Sequence, residues 1–558
     1  RVADRADREL ELKLTVDDAV LDAVARSGVL EAMRIAPPKT VRLRTLYFDT
    51  RDHRLWQAGI SLRVRQEEDG WVQTLKIGKS IRLGISNPLE AEWKVDRPRP
   101  DLDLVTDEPF RDALVRARGT RQLLKRFETV IVRTKSLLQP AFGGIVELAV
   151  DHGQVHADTG EDIVREIEIE VKEGPPTALL AAAEAIFSDL PFRLGVESKA
   201  ERGYRLLAGT PRRTLGDLAD AAAGTPTLAA DMSARDAFRA VGEAYGGAVL
   251  AFADRVLSSA EPEGPHQLRV YLRRLRTALG AFRPAFDGPR FRRIGDDARA
   301  LARIAGDLRD RDVLATEIVP AALEGADPSA RGGIERLAGR VDAERRTVRE
   351  EVVASLSGAR WSWLGLQLAL FDLVLDRACA GGEGPGAAMP VATLAEHALR
   401  RAWKKSNRWG KRLDELTPEE RHELRKELKG LRYAIEIFGS LYPAEAVEVF
   451  LKQLRRMQDV FGYLNDVETA RSYLLPPLPP SDGPGGAALL PFVGDAAAAV
   501  RQPEPRRPPG DPVAEAVVEW HEARAEKAWE NARRRWRELK DTPRFWEREG
   551  SAADPGGV

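Results

Sequence analysis

The chain has 558 residues, 43% hydrophobic and 31% charged, with 86 Lys and Arg against 87 Asp and Glu for a net charge of -1. That length exceeds a single core and predicts about three or four domains, while the near-neutral balance excludes any inference about partners from overall charge and leaves only local clusters to speak. One cysteine, Cys379, excludes an intrachain disulfide and fits a reducing, cytoplasmic setting.

In chain order, residues 8–206 read as mostly β. Candidate strands cover 8–14, 41–48, 60–66, 71–77, 89–95, 128–136, 145–151 and 163–172, each alternating and rich in β-branched or aromatic residues. Helical patterns at 16–27, 111–125 and 177–187 interrupt them. Residues 207–230 shift to Ala, Gly, Thr and Pro, the composition of an interdomain linker. From 233 to 545 the period becomes 3.6, in helices rich in Ala, Leu, Arg and Glu. A Pro/Gly/Ala-rich insert at 475–512 reads as a mobile loop. No signal-peptide pattern is read at the start. The most apolar stretch, 361–375, is broken by Ser362, Gln367 and Asp372 and is too short to span a bilayer.

The β region sorts its charges. Glu9, Glu11 and Lys13 share one strand face against Leu10, Leu12 and Leu14. Arg63 with Arg65, Lys76, and Arg133 with Lys135 give cationic strands. Glu90, Glu92 and Lys94 share a face, as do Glu147 and Asp151, and then Glu166, Glu168, Glu170 and Lys172. A closed antiparallel barrel with a charged lumen and an apolar outside accounts for this sorting. Its Lys and Arg would cradle phosphates. Its carboxylates would repel one another unless they held a hard cation such as Mg²⁺ or Mn²⁺. Together these suit metal-assisted hydrolysis of a phosphoanhydride.

Glu9-x-Glu11-x-Lys13, Tyr47-Phe48-Asp49-Thr50, Leu62-Arg63-Val64-Arg65, Thr74-Leu75-Lys76, Glu166-Ile-Glu168-Ile-Glu170 and Ser198-Lys199-x-x-Arg202-Gly203-Tyr204 resemble the CYTH, or triphosphate tunnel metalloenzyme, domain over nearly all of residues 8–206. The resemblance implies an eight-stranded tunnel that binds triphosphate with a divalent metal. It implies catalytic roles for Glu9, Glu11, Lys13 and Lys76, and metal near Glu9, Glu11, Glu168 and Glu170. Phosphate would meet Lys13, Arg63, Arg65, Lys76, Arg133, Lys135 and Lys199. The family usually carries an Arg shortly before the Glu of the strand holding Glu90 and Glu92. Here Ser86-Asn87-Pro88-Leu89 stands instead, leaving Arg82 or Lys94 as the substitutes.

The second half is duplicated. His266-Gln-Leu-Arg269 and Leu275-Arg276 match His422-Glu-Leu-Arg425 and Leu431-Arg432, and Gly306-Asp-Leu308 matches Gly462-Tyr-Leu464, all at one offset. Arg269, Arg273 and Arg276 fall at helical spacing, as do Arg425, Lys429 and Arg432. Arg401, Lys404, Lys405, Arg408 and Arg412 make a third basic face without an acid between them. Three such faces point to a polyanion groove. The pattern is similar to the CHAD domain, a conserved-histidine helical domain that often follows CYTH. This resemblance implies two related four-helix bundles that bind inorganic polyphosphate, with His266 and His422 near helix starts. DNA and RNA fit less well, since the basic faces lack interleaved aromatics and no helix-turn-helix appears.

The expectation is therefore an α+β chain of two domains, a tunnel at 1–206 and a helical domain at 231–548, joined by 207–230. The tunnel would hydrolyse inorganic triphosphate with Mg²⁺ or Mn²⁺, fold alone as residues 1–210, and stand free of membranes. Three alternatives stay open: a non-catalytic polyphosphate-binding granule or scaffold protein, an adenylate cyclase, and a thiamine triphosphatase. Homo-oligomerisation is open too.

Overall fold

The computed structural model describes residues 10–474 and 512–547, apart from 79, 80, 82, 87, 88 and 142. Within the β region ten strands form one sheet: β1 Glu11–Thr15, β2 Lys39–Asp49, β3 Ile60–Glu67, β4 Gly70–Ile77, β5 Ile85–Ser86, β6 Leu89–Val95, β7 Leu124–Leu138, β8 Ile145–Ala157, β9 Gly160–Glu173 and β10 Arg193–Leu194. The order is β10-β1-β9-β8-β7-β2-β3-β4-β6, with β5 paired to β1 off this path. All ladders are antiparallel. Each of the eight expected strands is present, and two short ones join them. The expected closed eight-strand ring is not what the ladders show: the path ends at β6, and no described ladder runs from β6 to β1. Asn87 and Pro88 separate β5 from β6 in sequence, and a proline brings no N–H to a ladder.

Alternation decides the two faces. Leu12, Leu14, Leu62, Val64, Leu75, Ile167 and Ile169 are wholly buried or nearly so, each contributing about 1.5–3 kcal/mol relative to exposure. Leu62, Val64 and Leu75 pack with Leu114 from the helix Glu108–Arg118, and the helix Thr177–Ile186 buries Leu179 and Leu180. Apolar side chains thus face the covering helices, which leaves the charged side chains to the opposite face. Two of the sequence motifs prove to be a structural latch. The buried Asp49 carboxylate accepts from the Leu55 and Trp56 amides, both at 2.9 Å, and from the Tyr204 hydroxyl at 2.8 Å. A Cβ at Gly203 would lie 2.1 Å from Phe127, so only glycine lets that helix approach.

The chain divides into two compact units, Arg1–Ala302 with Val353–Leu394, and Arg303–Val352 with Ala395–Val558. The first therefore holds the β region and part of the helical region. In it Phe238, on the helix Ala234–Ser258, stacks at 4.5 Å on Phe282 of the helix Glu263–Phe282 and meets Phe371 of the helix Phe371–Ala380 edge-on. Within 207–230, read from composition as an interdomain linker, Leu215, Ala219 and Leu228 are buried and the Gly216 amide donates to Asp254 at 2.9 Å. Glu184, on the helix behind the sheet, accepts from Arg290, Gln367 and Arg377. In the second unit Leu314, Ile318, Leu337, Val341 and Val517 form a core with Ala470 and Leu474. Trp403, Phe450, Trp536 and Trp546 form a separate aromatic cluster there. The insert expected at 475–512 lies, but for residue 512, outside the described residues. No described helix is long and apolar enough to cross a membrane.

Candidate active site

The charged face of the sheet surrounds a cavity of about 450 Å³. Strand register decides which charges meet. Glu11 stands opposite Glu170, and Lys13 opposite Glu168. Glu147 faces Glu170 on the other side, and Asp151 faces Glu166. Arg133 and Lys135 from β7 lie opposite Asp151 and Ala149. Arg63 and Arg65 come from β3 and Lys76 from β4, while Lys199 opens the helix Lys199–Ala208 behind a capping box of Ser198 and Glu201.

At one end of this site acids and bases are tightly paired. The Lys13 ammonium donates to Glu168 and, at 3.0 Å, to Glu11. Lys199 reaches Asp151, Glu166 and Glu168, each at 2.8 Å. Arg133 takes Asp151 in a two-bond fork and also donates to Glu168. Arg202 closes the back of the network with 2.5 Å to Glu166 and 3.0 Å to the Ile163 carbonyl. Burial alone would raise the Glu166 pKa, but Lys199, Lys13 and Arg202 outweigh it and hold it at about 2. Burial likewise opposes the Lys199 charge, and Asp151, Glu166 and Glu168 overcome it, lifting the pKa to about 12. Glu168 is held well below, and Lys13 well above, their ordinary ranges for the same reason.

Farther along, Arg63 donates to Glu90 at 3.2 Å, Lys76 pairs with the same carboxylate, and Lys135 meets Glu147 at 3.0 Å. Arg65 differs. Its guanidinium bonds the Thr45 hydroxyl at 3.3 Å and has no carboxylate in ion-pair reach among the described residues. Burial, then the like charges of Arg63 and Arg133, bring its pKa down to about 10. A half-buried cation in that position is short of an anion.

The structure therefore brings together Glu11, Lys13, Arg63, Arg65, Lys76, Arg133, Lys135, Glu168, Glu170 and Lys199 around one cavity. Glu9 and Arg82 lie outside the described residues. Lys94 is exposed and does not line the cavity, so it does not replace the missing arginine. Residues of the paired network that received no site role from the sequence alone include Asp151, Glu166 and Arg202. Asp151, Glu166 and Glu168 carry carboxylate oxygens within 4.8 Å of one another, a grouping able to hold a metal ion. Alternation placed Asp151 and Glu166 on the charged face, yet only cross-strand register reveals that they are opposite each other.

The helical candidates occupy separate places. His266, Arg269, Arg273 and Arg276 lie on the helix Glu263–Phe282 of the first unit, all half-buried. Burial and the nearby Arg299 lower the Arg276 pKa. In the second unit, the helix Val391–Gly410 exposes Arg401, Lys404, Lys405 and Arg408, with Arg412 just beyond. The helix Pro418–Phe438 carries His422, Arg425, Lys429 and Arg432. Some of this charge is answered: Lys405 lies 3.7 Å from Glu427, Arg412 3.5 Å from Glu420, and Arg432 2.8 Å from Glu436.

Comparison with known proteins gives two family matches, the CYTH domain over residues 7–204 and the CHAD domain over residues 240–475. An inorganic triphosphatase of Haemophilus influenzae is 27% identical over 213 residues, 36% of this chain; the match spans 55%, about half, of that protein's length. An uncharacterised protein of Mycobacterium tuberculosis is 28% identical over 493 residues, 85% of this chain and 90% of its own. Among solved structures, the CHAD domain from the plant Ricinus communis is 22% identical, covers 56% of this chain and 95% of its own, and has a TM-score of 0.44.

Proposed function

From a chain that consists of a CYTH domain followed by a CHAD domain, we propose a divalent-metal-dependent triphosphatase that acts on inorganic triphosphate. The observation that carries this reading is Arg65, a cation without a carboxylate beside Arg63 and Arg133 in a cavity large enough for a linear triphosphate. The CYTH match and the name of the Haemophilus influenzae relative support the same reaction class.

In this account Arg65, Arg63, Lys76 and Lys135 grip the outer phosphates, while Lys13, Arg133 and Lys199 neutralise charge at the reacting one. On β1 the Glu11 end is paired by β5, and β6, which follows β5 in sequence, pairs with β4. Two carboxylate sets compete for the metal. Asp151, Glu166 and Glu168 converge, but Asp151 and Glu166 are 0% exposed, do not line the cavity, and are already held by Lys199, Arg133 and Arg202. Glu11, Glu168 and Glu170 line it, and Glu11 and Glu170 are engaged by the flexible ammonium groups of Lys13 and Lys172. The second set, with hard oxygen donors open to substrate, is therefore the proposed Mg²⁺ or Mn²⁺ site. The metal would supply Lewis-acid stabilisation of phosphate charge and a more acidic water. Lys13 and Lys172, which here pair with Glu11 and Glu170, would turn toward phosphate oxygens were those carboxylates to hold a metal. The helical domain would bind inorganic polyphosphate on its basic faces.

Arg65→Ala tests the reading. Loss of a charge-assisted bond to phosphate, about 1.5–3 kcal/mol, lowers kcat/KM for triphosphate by about 10- to 100-fold, mostly through KM. An unchanged kcat/KM overturns the assignment. Assays with ATP, thiamine triphosphate and long polyphosphate rank the substrates, and a rate with ATP or thiamine triphosphate above that with triphosphate replaces the proposed substrate.

A further inference from the structure

The three polar residues that interrupt the apolar stretch 361–375 all have partners in the first unit. Gln367 donates to Glu184, and Asp372 accepts from Arg235. Ser362 instead grips the backbone on its way into the cavity wall. The Phe192 amide donates to its hydroxyl at 2.9 Å, and the hydroxyl donates to the Phe192 carbonyl at 2.9 Å. Both residues are buried, at 3% and 7% exposure.

The segment that Phe192 leads into makes this contact consequential. Residues 193 and 194 form β10, which pairs with β1 at Thr15 and Leu14. The Gly195 amide then donates to the Lys13 carbonyl at 2.8 Å. A Cβ at Gly195 would lie 2.7 Å from Lys13 Cγ, so the bare backbone there is the surface on which the Lys13 stem rests. Four residues later the same segment delivers Lys199. A two-residue strand has little register specification of its own. Packing supplies part of it, with Phe192 edge-on to Phe187 at 5.1 Å, but a cavity of about 140 Å³ lies alongside, lined by Phe192, Leu194, Trp361 and Ser362 among others. To these the hydroxyl clasp adds a pair of hydrogen bonds from the helical region at the residue where the segment starts.

We propose that Ser362, from the helical region, is a positioning residue for the cavity lysines. By holding Phe192 it sets the register of β10 on β1, and through it the places of the Lys13 and Lys199 ammonium groups. The catalytic consequence rests on the triphosphatase reading; the positional one does not.

The test uses the full chain carrying Ser362→Ala, Ser362→Thr or Glu184→Ala, the last loosening a neighbouring contact remote from the lysines. Triphosphate turnover with Mg²⁺ is measured well below each melting temperature. Ser362→Ala is expected to lower kcat/KM about tenfold or more, Ser362→Thr to restore it to within about threefold, and Glu184→Ala to leave it within about twofold. A Ser362→Ala value within twofold of the parent, or a loss matched by Glu184→Ala, overturns the proposal. Should Ser362→Ala fail to fold, Ser362→Cys, with a weaker donor of similar size, takes its place under the same thresholds. Amide exchange over residues 190–200 separates this inference from the reading beneath it. If the parent chain releases no phosphate, the triphosphatase reading fails. Positioning then stands on at least about tenfold faster exchange in the Ser362 variant and not in Glu184→Ala, and falls without it.

Discussion

At residue 65 function and stability pull apart. A buried arginine beside Arg63 and Arg133, with no carboxylate in ion-pair reach among the described residues, costs folding free energy and is useful once an anion arrives. Arg65→Met should therefore raise the melting temperature of the ligand-free protein while lowering triphosphate turnover; a lower melting temperature would mean that Arg65 already has its compensation. The paired residues behave oppositely. Glu166 has an ordinary value of 4.5 and a folded value of about 2, so its stabilisation is complete above pH 4.5 and is lost as pH falls toward 2. Lys199, at about 12 against 10.5, stabilises fully below pH 10.5 and loses that contribution as pH rises toward 12. Asp312 has the reverse sign. It is 3% exposed, one of its oxygens lacks a partner, Arg345 stays 3.7 Å away, and burial pushes its pKa up to about 6 from 3.8. Its charge therefore destabilises increasingly as pH rises from 3.8 through 6. Asp312→Asn should raise the melting temperature at about pH 8, by up to about 3 kcal/mol of stability, and do nothing at about pH 3.5. Equal effects at both pH values would exclude titration as the cause. None of these pairings could be read from spacing, which shows which face a side chain occupies but not the neighbour across the ladder.

Among the elements, the long strands were legible because alternation and β-branched content agree over seven or more residues, as in β9 with Glu166, Glu168 and Glu170 against Ile167, Ile169 and Val171. The sequence pattern missed β5 and β10, since two residues carry no period, yet these two flank β1 and Lys13. The reading of 207–230 as an interdomain linker followed composition. The segment packs because Leu215, Ala219 and Leu228 find buried places, which composition cannot show. The expectation that residues 1–210 fold and act alone changes accordingly. That fragment would leave Glu184 without Arg290, Gln367 and Arg377, and Phe192 without Ser362. It should keep an antiparallel β circular-dichroism signature, melt earlier than the first unit in the whole chain, and show lower kcat/KM. Turnover equal to the full chain would mean that the helical region contributes nothing to the site.

For the whole molecule, the near-zero net charge conceals local sorting, with charges of both signs gathered at the cavity and cations clustered along certain helices. Binding of long polyphosphate by those helices should weaken steeply with salt, as counterions compete for the same charges. Changing Arg269, Arg273, Arg425 and Arg432 together to Ala should weaken it about tenfold or more, as four contacts of about 0.5 kcal/mol each sum to about 2 kcal/mol. Equal affinity in that variant, or tighter binding of duplex DNA at equal phosphate concentration, would remove the polyphosphate assignment. The one repeated offset is a reading of the sequence, and its two His-x-x-Arg copies fall on the helices Glu263–Phe282 and Pro418–Phe438. The division into compact units was not visible, because it depends on which helices pack together and not on their order in the chain. The central claim is metal-dependent cleavage of triphosphate in the charged cavity, and phosphate release from inorganic triphosphate by the full chain, with Mg²⁺ or Mn²⁺ and then with excess chelator, tests it most directly. The account predicts turnover with metal, its loss with chelator, and its loss with metal present in Glu11→Gln; no release under any condition, or release indifferent to both chelator and Glu11, would contradict it.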